Sequence, residues 1–298
     1  MTTSKTPLVS IGLPVYNREA LIPKTLESLL AQTFTDFEII ISDNGSTDGT
    51  EAVCRQYAAN DARIRYIRQP RNLGLLGNFN FVMKEARGKY FMWTASDDMC
   101  EKEFVGKLVE QLERDPELAL VMADLKYISE SGQPVKVNKL DSIRIDDVNA
   151  DWESKRLLFF QYPGHKLYDC FYGMYRTEIV QSCHLPEHIW KNLVFSLEVP
   201  FLAQVAVKGK IASIDAPLKL YRYYANSSYM KEASSVKLID KVVRGSEIWW
   251  ELFVTAISSR LDWKTRVGLV LKAAYSSAKY AFAAVVPGHK PVADVPSA

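Results

Sequence analysis

Over residues 1–125, short apolar runs alternate with stretches in which apolar residues recur every three or four positions. Leu8-Val9-Ser10-Ile11-Gly12-Leu13 reads as a buried strand, and Ile22, Leu26, Leu29 and Leu30 then share one helical face. The run Phe37 to Ser42 closes a first βαβ unit. A helix over about Thr50 to Asn60 leads to a strand at Ile64 to Arg68, and a helix over about Leu75 to Ala86 ends at Gly88 before the strand Tyr90 to Thr94. A helix from about Glu101 to Arg114, a strand Leu118 to Ala123 and a turn at Ser131-Gly132 follow. Strands and helices alternating at these intervals predict an α/β fold around a mostly parallel sheet flanked by helices.

The rhythm then changes. Residues from about Gln133 to Asp151 are polar and mixed in charge, the composition of a loop or flap over a sheet edge. Beyond them Trp152 to Phe160 is helix-like, Phe171 to Tyr175 strand-like, and Phe195 to Val207 helical up to Gly209. The end of the chain is helical in pattern. From Trp263 to Val285 it forms a basic amphipathic helix with Trp263, Val267, Val270, Leu271, Ala274, Ala278, Ala281, Phe282 and Val285 on one face and Lys264, Lys272 and Lys279 opposite. Such a helix either packs on the domain or lies on an anionic membrane surface.

Composition narrows the function classes. With 37 basic and 35 acidic residues in 298, the formal charge of +2 gives no global field for nucleic acid, so an anionic ligand must be met by local groups. The four cysteines, Cys54, Cys100, Cys170 and Cys183, have no CxxC spacing, which argues against zinc and for a reducing compartment. The polar start, Met1 to Pro7, and the lack of a spanning apolar stretch predict a cytoplasmic protein. His184 and His188 have helical metal-ligand spacing, but Pro186 between them makes them loop residues. The acceptor-like Asn44-Gly45-Ser46 and Asn226-Ser227-Ser228 imply no glycosylation without a secretory signal.

Candidate chemistry gathers after the strands. Parallel strands place their C-terminal loops at one edge, where ligands bind. Here those loops are Pro14 to Arg18, Asp43 to Thr50, and Ser96-Asp97-Asp98. GxGxxG and Walker lysine patterns are both absent, so phosphate must be met by side chains. The loops supply an aromatic face at Tyr16, an acceptor at Asp43 and a carboxylate pair suited to a hard cation.

The set Pro14-Val15-Tyr16-Asn17, Ser42-Asp43-Asn44-Gly45-Ser46-Thr47-Asp48-Gly49-Thr50, Arg71-Asn72-Leu73-Gly74, Asn80, Ala86-Arg87-Gly88-Lys89-Tyr90 and Ser96-Asp97-Asp98 resembles family 2 glycosyltransferases of the GT-A fold. The likeness covers about the first 125 residues, continues more loosely through Tyr172 to Thr177, Val207 to Lys210 and Leu220 to Arg222, and fades after about Ser228. It implies a glycosyltransferase domain over 1–230, with a nucleotide-binding half at 1–125 and an acceptor-side half at 126–230, and a helical extension at 231–298.

The activity implied is inverting transfer of a sugar from a nucleotide diphosphate, best a UDP-sugar, to a hydroxyl of a sugar or lipid-linked saccharide acceptor in polysaccharide or glycolipid synthesis. The cation would be Mg²⁺ or Mn²⁺. By the same resemblance Asp98 is the metal ligand, Asp97 accepts from the ribose, Asp43 accepts from the base edge, Pro14 and Tyr16 form the base-binding loop with Tyr16 packed on the ring, and Arg18 and Arg71 pair with the diphosphate.

Two departures from the family pattern stand out. Ala95 replaces a third aspartate, and Tyr224 replaces a histidine of the Tyr-Arg-x-His pattern, with Arg222 left to compensate. The family's base aligns with Glu198, a carboxylate at an apolar helix start, and Asp169 is the next candidate. The last helix is expected to pack on the domain, with peripheral contact at the inner membrane face, for work on a lipid-linked acceptor, as the alternative. A nucleotide-sugar-binding scaffold without turnover and a sugar-phosphate nucleotidyltransferase are the competing readings.

Overall fold

The computed structural model describes residues 6–135, 152, 156–160, 168–185, 198–224 and 238–285, with the side chains at 157–158, 168–169, 238–245 and 279–285 outside the description. The chain forms two compact units, one of Met1–Val135, Tyr172–His184 and Ile211–Arg222, the other of Lys136–Phe171, Leu185–Lys210 and Tyr223–Ala298.

The first unit is built on β1 (Val9–Val15), α1 (Ile22–Leu30), β2 (Phe37–Asp43), α2 (Thr50–Asn60), β3 (Ile64–Arg68), α3 (Gly74–Lys84) and β4 (Tyr90–Trp93). β2 and β4 flank β1, β3 pairs with β2, and all three pairings are parallel. Every residue of β1, β2 and β4 is buried, which is why these strands read as continuous apolar runs instead of alternating ones. Pro14 lies beyond the last β1–β4 pair, Gly12↔Trp93, so its missing N–H costs no ladder bond on that side.

The sheet continues through β5 (Met99–Cys100), α4 (Phe104–Arg114), β6 (Leu118–Ile128), then, after a 3₁₀ turn (Leu157–Phe160) and α5 (Tyr168–Phe171), β7 (Met174–Arg176) and α6 (Thr177–Gln181). After α7 (Glu198–Ala206) comes β8 (Lys210–Arg222). The order across the sheet is β3-β2-β1-β4-β7-β6-β8-β5, with β7 antiparallel to β4 and β6, and β8 antiparallel to β5. Phe171, expected in a strand, instead ends α5, and the strand starts at Met174. The expected turn at Ser131-Gly132 is a tight one: Gly132 has φ 90° and its N–H bonds Ser129 O at 2.9 Å.

Close approach fixes one junction. A Cβ on Gly88 would lie 2.7 Å from Ser10 N and 2.8 Å from Val9 C, so α3 can return into β4 against β1 only with glycine there. The Ser10 hydroxyl accepts from Arg87 N and Gly88 N at 3.0 and 2.9 Å and donates to Glu38 at 2.8 Å, serving two backbone N–H groups and a buried carboxylate at once.

The second unit is helical in its described parts. α7 packs on the 3₁₀ turn, on α5 and on α8 (Leu238–Ser258), and α9 (Trp263–Val285) packs along α8 and on the 3₁₀ turn. Asp262 caps α9, accepting from Lys264 N and Thr265 N at 2.9 and 3.1 Å. The face that α9 buries is Leu269, Ala273 and Ser276, whereas Trp263, Val267, Leu271 and Tyr275 are 65%, 48%, 64% and 66% exposed. This corrects the expected stripe. Periodicity locates an apolar arc but not which part of it the neighbouring helix covers, and here Leu269 and Ala273 go inward while four large side chains stay outward.

Candidate functional site

Three loops leave the C-terminal ends of β1, β2 and β4. The register Val15↔Asp43 aligns the first two ends, and Asn44 N donates to Val15 O at 2.8 Å just past them. Asn17 adopts φ 50°, a conformation that asparagine tolerates, and this turns the first loop back on the second. Its N–H bonds the Ser46 hydroxyl at 3.0 Å and its Oδ1 accepts from Thr47 N at 2.8 Å; Arg18 N bonds the Thr50 hydroxyl at 2.8 Å. Tyr16 stays 42% exposed at the tip. Arg18 is also exposed, and lines an open pocket of about 430 Å³ with Asn17, Glu19 and Asp48; neither residue of the aspartate pair lines it.

Asp43 ends β2 fully buried. Oδ1 accepts from Ser46 N at 2.8 Å, and Oδ2 accepts from the Tyr66 hydroxyl at 2.7 Å and from Arg68 at 3.1 Å. Burial and the bond to Asp43 both push the Tyr66 phenol upward. Sequence reading missed Tyr66 and Arg68; the signal was two polar-tipped residues alternating along a strand beside an aspartate-ended one. The loop of Arg71 joins the same edge through Asn44, whose amide donates to Asn72 Oδ1 at 2.9 Å and Gly74 O at 3.1 Å while its Oδ1 accepts from Leu73 N at 2.7 Å. Arg71 itself is exposed.

The aspartate pair follows β4. Asp97 is half-buried, and its carbonyl accepts from Arg222 Nε at 2.7 Å. Asp98 is 1% exposed and held from several sides: its carbonyl accepts from the Thr25 hydroxyl at 2.8 Å, and its Oδ1 accepts from Arg222 N at 3.0 Å. Its Oδ2, also buried, accepts no hydrogen bond among the described residues and lies 3.6 Å from the Lys219 ammonium. Burial pushes the Asp98 carboxyl up to about 6, against the pull of Lys219.

Arg222, expected to compensate for the histidine replaced by Tyr224, spends its guanidinium on main chain, with Nη1 donating to Ser129 O and Glu130 O at 2.9 and 2.6 Å. It fastens the aspartate turn to the turn after β6. Lys219 also escaped sequence reading, and a lysine two positions before Tyr221 in a strand of large side chains was its one trace.

Glu198 is the first residue of α7, in the second unit, and is part-buried; loss of solvation pushes its carboxyl up to about 7. Asp169 lies in α5, with its side chain outside the description, as are His188 and Asn226. The cysteines are free and buried.

A parallel half-sheet with long loops and an aspartate pair at its C-terminal edge, extended by antiparallel strands beyond β4, is a GT-A fold. Solved structures agree: S. aureus TarS 1-349 in complex with UDP-GlcNAc superposes with a TM-score of 0.68 at 18% identity, over 93% of this chain and 76% of that one. Among relatives, chondroitin synthase of Escherichia coli is 37% identical over 131 residues, 44% of this chain and 19% of that protein. The uncharacterized glycosyltransferase EpsJ of Bacillus subtilis is 30% identical over 222 residues, 74% of this chain and 62% of that protein. The chain thus spans 19% and 62% of the length of these two relatives. The pattern of glycosyl transferase family 2 matches residues 10–183, and the chain belongs to that family.

Proposed function

We propose that the protein transfers a sugar from a UDP-sugar to an acceptor hydroxyl with inversion, as a step in building a polysaccharide. The observation that carries this reading is the Asp97-Asp98 turn at the end of β4, with Asp98 Oδ1 bound to backbone and Oδ2 left without a hydrogen bond at the edge shared with Tyr16, Asp43 and Arg71. Family membership supports the reaction class. The UDP-GlcNAc complex of TarS and the name of the chondroitin synthase relative support the donor type and the product class.

In this reading Tyr16, on the loop begun by Pro14, packs on the base. Asp43 acts at the base edge through the Tyr66 and Arg68 groups that it holds, since its own oxygens are engaged. Asp97 accepts from the ribose, and Arg18 and Arg71 meet the diphosphate with planar, bidentate donors.

A divalent cation fits the residue types present. Asp98 offers a hard, buried oxygen without a hydrogen bond, although Ala95 removes the third carboxylate. Asp98 would hold Mg²⁺ or Mn²⁺, whose contribution is to neutralise charge on the leaving diphosphate. Glu198 takes the proton of the acceptor hydroxyl as its oxygen bonds to the anomeric carbon. The carbon–oxygen bond to the diphosphate breaks on the opposite face, and UDP leaves with that electron pair.

The outward row Trp263, Val267, Leu271 and Tyr275, with the exposed Arg260 and Lys264 beside it, supports peripheral contact of α9 with an anionic membrane surface on the cytoplasmic side, where a lipid-linked acceptor would be met. No helix among the described residues is long and apolar enough to cross a membrane.

The test is release of UDP from a panel of UDP-sugars, with and without divalent cation and candidate acceptors. Metal-dependent release is expected. Tight binding with no release under any condition would make the protein a nucleotide-sugar-binding scaffold instead.

A further inference from the structure

Lys219 is the feature of this edge that the proposed reaction leaves unused. It lies in β8, beside β5 at the register Cys100↔Lys219, and is 2% exposed, an unusual setting for a lysine. The burial is not idle. Its Nζ lies 3.6 Å from Asp98 Oδ2, 3.4 Å from the Thr94 hydroxyl and 5.1 Å from the centre of the Tyr172 ring. A carboxylate, a hydroxyl and an aromatic face thus surround one ammonium, and all four groups belong to the first unit. With both ions of the pair taken from water, each is costly without the other.

A divalent cation binds a carboxylate oxygen at about 2.1 Å. The ammonium sits 3.6 Å from the same oxygen, so the two cations would be like charges in one dry pocket, competing for one negative group. Ala95 sharpens the competition, because no third carboxylate is present to balance both.

We propose that Lys219 is a built-in counter-cation for Asp98: it balances the carboxylate when no metal is bound, and divalent metal gains Asp98 only by displacing it. The inference rests on the assignment of Asp98 as metal ligand. It predicts a site of deliberately weakened metal affinity, with the ammonium and the metal reciprocally coupled through one carboxylate.

The experiment titrates Mn²⁺ into the full chain, alone and with UDP, following free Mn²⁺ by electron paramagnetic resonance. Lys219→Met and Lys219→Gln, which remove the charge, should bind Mn²⁺ about tenfold tighter or more, a shift within the usual range of such coupling. Lys219→Arg, which keeps the charge, should bind no tighter than the unaltered protein. In chelator the neutral variants should melt below the unaltered protein and recover on adding Mn²⁺, a rescue that loss of packing alone would not give.

If the unaltered protein binds Mn²⁺ and the neutral variants bind it equally or more weakly, the counter-cation assignment is overturned while the metal reading stands. If no form binds Mn²⁺ even with UDP, both fall, and UDP binding in chelator then judges the donor reading separately. Should the neutral variants fail to fold, ¹³C spectra of lysine-labelled unaltered protein decide. The Lys219 resonance, identified through Lys219→Arg, should move when Mg²⁺ and UDP are added, and a resonance that stays put overturns the proposal.

Discussion

At the scale of single residues, Asp98 and Glu198 divide the proposed chemistry. Asp98→Ala removes the oxygen without a hydrogen bond, takes away the acceptor of Arg222 N and leaves the Lys219 ammonium without its counter-charge. Metal-dependent UDP-sugar binding should be lost, as read by calorimetry with and without Mn²⁺. Donor binding that keeps its metal dependence would move the ligand elsewhere. For Glu198→Gln we expect intact donor binding with turnover down about 10²- to 10⁴-fold, the scale of a positioned base.

The pH dependence has a definite sign. A base works deprotonated, and burial sets the Glu198 carboxyl at about 7, so turnover should climb about tenfold per pH unit below that value and level off above it. A flat profile between pH 5 and about 8 would argue against Glu198. The positions of Asp43, Asp97 and Asp98 were legible from sequence because turn chemistry and strand ends mark them. Lys219 was not, and Arg222 was read for a different role from the main-chain clamp that it forms. The contacts that tie them to the aspartate turn reach across more than 120 positions, from Arg222 N to Asp98 and from Lys219 to Thr94, and spacing along the chain carries no trace of such a contact.

At the scale of elements, β1, β2 and β4 were readable because both faces are covered and nearly every position is apolar or small. β8 was not read as a strand. Its thirteen residues, KIASIDAPLKLYR, mix buried and exposed positions without alternation, and include a proline. β5, of two residues, is too short to have a period, and β7, of three, was read with its start too early, at Phe171 instead of Met174. The α3–β4 junction gives a test that belongs here. Gly88→Ala would set a methyl against the Ser10 and Val9 backbone, which has no flexible side chain to yield, and should cost about 1–3 kcal/mol, measured by urea denaturation. An unchanged midpoint would mean that β1 and β4 can separate more easily than their contact suggests.

At the scale of the whole molecule, two kinds of surface set the expected behaviour. With a net charge of only +2, attraction to anionic partners has to be local. Among the described residues of α9, Trp263, Val267, Leu271 and Tyr275 are the large apolar side chains left exposed. We expect the protein to float with vesicles containing anionic lipid and to lose most of that binding in a Trp263→Ser/Leu271→Ser double variant, whose positions face away from the buried Leu269 and Ala273. Equal flotation of the two forms would return α9 to a purely structural role. Periodicity indicated an amphipathic helix but could not assign its faces, because the choice depends on α8, which is itself apolar along much of its length.

The buried thiols provide a clock for local opening at this edge. Cys54 lies on α2 behind the Asp43 loop and Cys100 two residues past Asp98, and burial pushes them up to about 12 and about 11. With both sulfurs buried, each should react with alkylating reagents only as fast as its surroundings breathe. Mass spectrometry of timed alkylation would then time the opening at each end of the proposed donor edge separately, and show which of the two a nucleotide quiets first.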